Sequence, residues 1–248
     1  MSEKNENPNN KSSFFLGLFV GLSVVSLVSF FVLFALMWQG NNADLDTSVS
    51  ADEGQQQIEE SAGANELPAP EIVSTPPTIT ADDHVWGNPD AKVTIVEYSE
   101  FECPYCGRHW PTMKQIKANY GDQVQVVFRH FPLGFHANAK PAAKASECAS
   151  DQGKFWEMYD KLFEAANVQR LGEEGLYTTL ATELGLDLTV FNNCMAATTH
   201  DAGIQADMDS GTDLGVTGTP GTFVNDKLVS GAFPYDYFAD IIDEELAK

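Results

Sequence analysis

Positive charge is scarce in this chain and missing from long stretches of it. Only 14 Lys and Arg stand against 36 Asp and Glu in 248 residues, a formal net charge of −22, and no base occurs between Lys11 and Lys92. Tracking nucleic-acid phosphates requires a basic stripe, and none is present, so nucleic acid is excluded as a partner; the same lack argues against docking on anionic lipid. Cysteine is scarce too. Of four, only Cys103 and Cys106 are closely spaced, and neither a second CxxC nor an HxxxH accompanies them to complete a zinc site. Aromatic residues are absent between Trp38 and Trp86, so that stretch has little with which to build a core. No internal repeat is present.

Residues 14–38, FFLGLFVGLSVVSLVSFFVLFALMW, carry no charge in 25 positions. At about 1.5 Å per residue such a helix spans a hydrocarbon core of about 30 Å. A cleavable signal peptide has an apolar core of about 7–15 residues and a small-residue cleavage site, whereas Trp38, Gln39 and Gly40 follow here. An uncleaved anchor is expected. Lys4 and Lys11 precede it, which keeps residues 1–13 cytoplasmic and exports the rest. Residues 39–78 carry eight acids and end in PAPEIVSTPP. They read as a disordered acidic linker with an r.m.s. reach of about 35 Å. A single domain over 79–248 is long enough for one substantial core. The expected location is therefore the cell membrane, single-pass, with this domain on the extracytoplasmic side, periplasm or cell wall.

Within the domain, KVTIVEYS (92–99) reads as a buried strand with Val93, Ile95 and Glu97 on one face. A helix follows to Tyr120, closed by Gly121 and bent at Pro111, and QVQVVFRHF (123–131) is a second strand. From about 138 to 198 four helical segments succeed one another, then a fifth helix at about 199–214. A hairpin at about 221–231 turns at Asn225 and Asp226, and PYDYFADIIDEELAK is an amphipathic terminal helix.

The cysteine pair lies in FECPYCGRHWPTM, between strand and helix. Unpaired amides and the helix dipole at that position favour a thiolate on Cys103. A free thiol of pKa about 8.5 is roughly 3% ionised at pH 7, so a depression of about two units makes it mostly the nucleophile of disulfide exchange. Each unit also favours the dithiol by about 30 mV, making the disulfide more oxidising. Cys106 is then the resolving thiol. Zinc held by Cys103, Cys106 and His109 is the rival, and it lacks a fourth ligand; without it His109 is a solvated helix residue. Cys148 and Cys194, on separate helices, are either a structural disulfide or two buried free thiols.

EYSEFECPYC, RHFPLGFHANAKPAAKASECASDQGKFWEMYDKLF and GVTGTPGTFVN together resemble the DsbA-like branch of thioredoxin-fold oxidoreductases. The resemblance covers about residues 80–248 and implies an α/β thioredoxin fold interrupted by a helical domain. It implies that Cys103 is the exposed nucleophile and Cys106 its buried partner. Pro220, after Thr219, would be the cis-proline facing the disulfide, although the residues alone allow an ordinary strand-entry proline. Glu97 would be a buried acid of raised pKa relaying the proton of Cys106, the alternative being a solvated edge-strand glutamate. Thr219, Pro104 and Tyr105 would meet substrate, Pro111 would shape the helix, and Phe101, Tyr105 and Trp110 would line an apolar rim, though Trp110 fits a core equally. The implied activity is introduction of disulfides into newly exported, Cys-containing proteins, followed by re-oxidation through a quinone-linked membrane enzyme of the DsbB or vitamin-K-epoxide-reductase (VKOR) type, with no metal or organic cofactor. Reductase or isomerase activity, or a non-catalytic chaperone or metal-binding module, remain as alternatives.

Overall fold

The computed structural model describes residues 67–248. The expected cytoplasmic tail, the anchor at 14–38 and residues 39–66 of the expected linker lie outside the described residues. Among the described residues no helix is long and apolar enough to cross a membrane.

The alternation in VTIVEYS places its strand at the centre of a sheet. Strand β3 (Val93–Ser99) follows β1 (Glu71–Ile72) and β2 (His84–Gly87) and leads into helix α1 (Pro104–Tyr120) and strand β4 (Val124–His130). Four helices follow, α2 (Ala139–Ser150), α3 (Phe155–Asn167), α4 (Leu176–Glu183) and α5 (Leu188–Ala196). Helix α6 (Asp201–Asp213), strands β5 (Gly221–Val224) and β6 (Lys227–Ser230) and helix α7 (Tyr235–Ala247) complete the chain. The six strands lie in the order β1-β6-β5-β3-β4-β2. β3 and β4 are parallel and joined by α1, while β5 and β6 add antiparallel. This is the thioredoxin fold, with α2–α5 inserted where the sequence placed its helical block.

Each face of β3 seeds its own cluster. Val93 and Ile95 pack with Met113 and Ile116 of α1 and with Phe238 and Ile242 of α7. Val96 and Tyr98 pack on the other face with Val127 and Phe223. Helix α6 crosses that second face through Gly211, where a Cβ would come within 2.8 Å of the Tyr98 ring. Any larger residue there lifts α6 off the sheet. The inserted helices form a third cluster around Phe163, Tyr159, Phe191 and Leu162, and it includes Phe101, Phe128, Cys103 and Cys106. Helix α1 runs unbroken through Pro111 and ends at Gly121, whose φ of 52° suits glycine.

Two strands depart from expectation. Glu71 pairs with Leu228 and Ile72 with Lys227, and Val73 N donates to Asp226 O at 2.8 Å. The linker reading of 39–78 is therefore corrected over 71–73, which cover the sheet edge. An edge pair held by main-chain hydrogen bonds buries no side chain, so composition carries no trace of it. β2 lies in ADDHVWGN and pairs with β4; four residues give too little alternation to read. Cys148 and Cys194 are bridged, Cα atoms 5.7 Å apart, tying α2 to α5.

Candidate active site

Helix α1 begins where it does because Pro104 occupies its first turn, where no amide hydrogen bond is lost, and Cys103 is the N-cap with φ −69° and ψ 121°. The Cys103 sulfur consequently sits at the helix start. The two thiols are unbridged. Cys103, expected to be the exposed one, is only 4% exposed, and Cys106 is fully buried one turn further in. Only that small part of Cys103 is open to solvent.

Opposite lies the Thr219-Pro220 peptide, which is cis. As a thiol Cys103 donates to Thr219 O at 3.4 Å. The Thr219 hydroxyl is buried and otherwise unpartnered, which leaves it free to donate to a thiolate. The hydrogen bond from Cys106 is the largest influence on Cys103, Thr219 and the Cys106 and Tyr105 amides add to it, and together they outweigh burial and lower its pKa to about 5. Burial and the neighbouring Cys103 charge push Cys106 well above the ordinary thiol value. One sulfur ionises and the other keeps its proton.

Glu97, on the α1 face of β3, is fully buried. Burial raises its pKa to about 7, against the charge of Lys117 and a hydrogen bond from Tyr159. Tyr159 OH donates to Oε2 at 3.1 Å, while Oε1 has no partner. The Lys117 ammonium lies 3.5 Å from the Trp156 ring centroid, and burial lowers its pKa to about 8.

Two expectations change here. His109 is buried, not solvated: its Nε2 meets the Thr222 hydroxyl at 3.1 Å, and burial lowers its pKa to about 4, so it is neutral. Cys106, His109, Met113 and Ile116 recur at helical spacing on one buried face of α1, a pattern that could have placed His109 inside. Phe101 is core, not rim, packed between Phe128 and Phe163. Trp110 is half-buried, its Nε1 donating to Asp160 at 2.7 Å. Tyr105 does stand outside, 54% exposed beneath the Arg108 guanidinium, next to exposed Pro104.

Glu100 and His136 were not anticipated. Buried Glu100 Oε2 accepts from the amides of Glu102 (2.6 Å) and Cys103 (3.0 Å), and Oε1 pairs with His136 Nδ1. Burial raises the Glu100 pKa, opposed by His136, and Cys103 contributes through its charge. Glu100 fixes the backbone at the start of α1 that carries Cys103. An acid three residues before a helix N-cap was the available signal; its partner, 36 residues away, was not visible.

A family profile described as thioredoxin matches residues 79–244. The chain belongs to the thioredoxin family. The crystal structure of BdbD from Bacillus subtilis matches with a TM-score of 0.61 at 27% identity, covering 72% of this chain and all of that one. A thioredoxin-like oxidoreductase from Silicibacter pomeroyi matches with a TM-score of 0.56 at 29% identity, covering 68% of this chain and 95% of that one. Wolbachia pipientis alpha-DsbA1, 24% identical with a TM-score of 0.61 over 68% of this chain and 93% of that one, shares the fold. Within the family this chain is DsbA-like, with the helical insert of a thiol-disulfide oxidoreductase. Among curated relatives, the Na(+)/H(+) antiporter NhaA 3 of Salinispora tropica is 40% identical over 152 residues, 61% of this chain. The chain spans 23% of that relative's length.

Proposed function

We propose that this protein is a membrane-tethered dithiol oxidase that gives its Cys103–Cys106 disulfide to cysteine pairs of exported proteins. The observation that carries this reading is the division between the two sulfurs: Cys103 lowered to about 5, Cys106 raised. A stabilised thiolate favours the dithiol by about 30 mV per unit of depression, which makes the disulfide a strong oxidant.

A substrate thiolate attacks Cys103 Sγ, the Cys103–Cys106 bond breaks, and its electron pair goes to the Cys106 sulfur. That buried sulfur takes a proton, for which we assign Glu97 as the source: it is near half-protonated at neutrality and shares Tyr159 as a neighbour with Cys106. A second substrate thiolate attacks the substrate sulfur of the mixed disulfide and Cys103 leaves as thiolate. Two electrons pass from substrate to enzyme. Thr219 O and the cis-proline turn offer backbone to an extended chain, with Pro104 and Tyr105 at the opening. Restoring the disulfide requires an electron acceptor, which we assign to a quinone-linked membrane enzyme of DsbB or VKOR type. The apolar run at 14–38 holds the domain near it.

The reduction potential, measured by equilibration with glutathione buffers, tests the direction. A value between about −180 and −120 mV is expected; one near −270 mV, the range of cytosolic reductants, replaces oxidase by reductase.

Glu97→Gln tests the proton source. A carboxyl whose folded pKa of about 7 exceeds its ordinary 4.5 loses stability for the fold as pH rises between those values, and the loss persists above. Glu97→Gln is therefore expected to be more stable than the parent at pH 8, by up to about 3 kcal/mol, and no more stable at pH 4. Its reduction by a cysteine peptide should slow by about 100-fold and lose the inflection near pH 7. An unchanged stopped-flow pH profile would remove Glu97 from the mechanism.

A further inference from the structure

Three of the five histidines converge on a single carboxylate, away from the Cys103–Cys106 site. His84 Nε2 lies 2.6 Å and His130 Nε2 2.8 Å from Oε1 of Glu147. His200 Nδ1 lies 3.7 Å from Oε2. These residues come from β2, the end of β4, α2 and the residue before α6. Glu147 and His200 line a cavity of about 760 Å³ together with His84, Asp207 and the Arg129–Asp83 pair. Asp83 neutralises Arg129 through two contacts of 2.7 and 2.9 Å, so the charge left facing the cavity is negative.

His200 Nε2 donates to Asp151 Oδ2 at 2.9 Å, and its Nδ1 stands 3.7 Å from Glu147 Oε2, so it borders the cluster without joining it. The two Oε1 contacts are hydrogen-bond distances, and an ion in place of the two hydrogens would spread them to the roughly 3.3–3.5 Å between ligand atoms about a tetrahedral centre. The other donors are already placed. His84 stacks on Phe155 with ring centroids 3.5 Å apart at 9°. Ser150 Oγ, 3.4 Å from His84 Nδ1, can accept from it once Nε2 is a ligand. His130 Nδ1 has no partner, so moving its hydrogen there to free Nε2 for an ion gives up only the 2.8 Å bond to Glu147 Oε1.

We propose that His84, His130 and Glu147, whose ligand atoms lie within 4.8 Å of one another, form a binding site for a divalent transition ion of the zinc class. Two imidazoles and one carboxylate suit such ions rather than calcium or magnesium, which take oxygen ligands. The ion joins the sheet to the helical insert, independently of the cysteine chemistry.

The test uses the full chain in detergent, stripped with chelator and oxidised so that Cys103 and Cys106 are bridged and cannot take metal. Zinc chloride is added by equilibrium dialysis, and the bound ion is examined by X-ray absorption. One zinc per chain is expected, with a nitrogen and oxygen first shell, imidazole outer scattering and no sulfur. His84→Ala and Glu147→Gln should each weaken binding by more than roughly 100-fold, beyond what loss of an outer hydrogen-bond partner does. Near-ultraviolet circular dichroism checks that each variant is folded; if either is unfolded, the stoichiometry and first shell of the parent decide. No binding at millimolar zinc, affinity unchanged in the folded variants, sulfur in the shell, or preference for calcium chloride would each overturn the proposal.

Discussion

Cys103→Ser is expected to lower dithiol oxidation to the uncatalysed background, while affinity for an extended cysteine-free peptide stays within a few-fold of the parent. The substitution removes the only sulfur placed to meet substrate, since Cys106 is fully buried behind it. A hydroxyl ionises far too weakly to replace it as leaving group or nucleophile. A binding module of the same fold would lose nothing, so retained affinity with lost oxidation separates enzyme from binder. The companion measurement is the thiolate absorbance of the reduced parent against pH. A midpoint near 5 is expected for Cys103, leaving it almost wholly ionised at pH 7; an ordinary midpoint of about 8.5 would leave roughly 3% and remove the driving force for oxidation. Cys106→Ser adds a control. It deletes the largest stabiliser of the thiolate but keeps Thr219 and the helix amides, so its midpoint should rise while remaining below that of a free thiol.

What the sequence revealed about this site follows how local each contact is. The β3–α1 junction was legible because strand alternation put Glu97 beside Val93 and Ile95, and because a CxxC after a strand falls at a helix start. The Cys148–Cys194 bridge was legible only as one of two choices, since 46 residues separate its ends and nothing local pairs them. His109 was misplaced although its buried helical spacing was available; an imidazole with one hydroxyl partner can stay neutral and be buried. Glu100–His136 and the histidines around Glu147 were invisible, because each group comes from segments that only the fold brings together. The edge strand at Glu71–Ile72 left no pattern at all, both side chains being exposed.

The same contrast between local and distant contacts sets the second large effect. Removing the bridge by Cys148→Ser with Cys194→Ser should cost about 4 kcal/mol of unfolding free energy in urea, the chain-entropy value for a loop of this length. Packing is a poor substitute at α5, where Phe191 is the one buried side chain and contributes roughly 1.5–3 kcal/mol. Asp187 caps the helix through the Thr189 and Val190 amides, which orders its first turn but does not attach it to α2. The loss should therefore appear first as faster hydrogen exchange in α5 and later in α1, which is anchored separately by Met113 and Ile116 in the cluster under the sheet. Dithiol oxidation at low temperature should survive in this variant, because Cys103, Thr219 and Glu97 lie outside the bridged loop. A variant that keeps its stability to within about 1 kcal/mol would show the bridge to be mechanically idle. One that loses oxidation while still folded would show instead that Cys148 and Cys194 exchange electrons with the first pair.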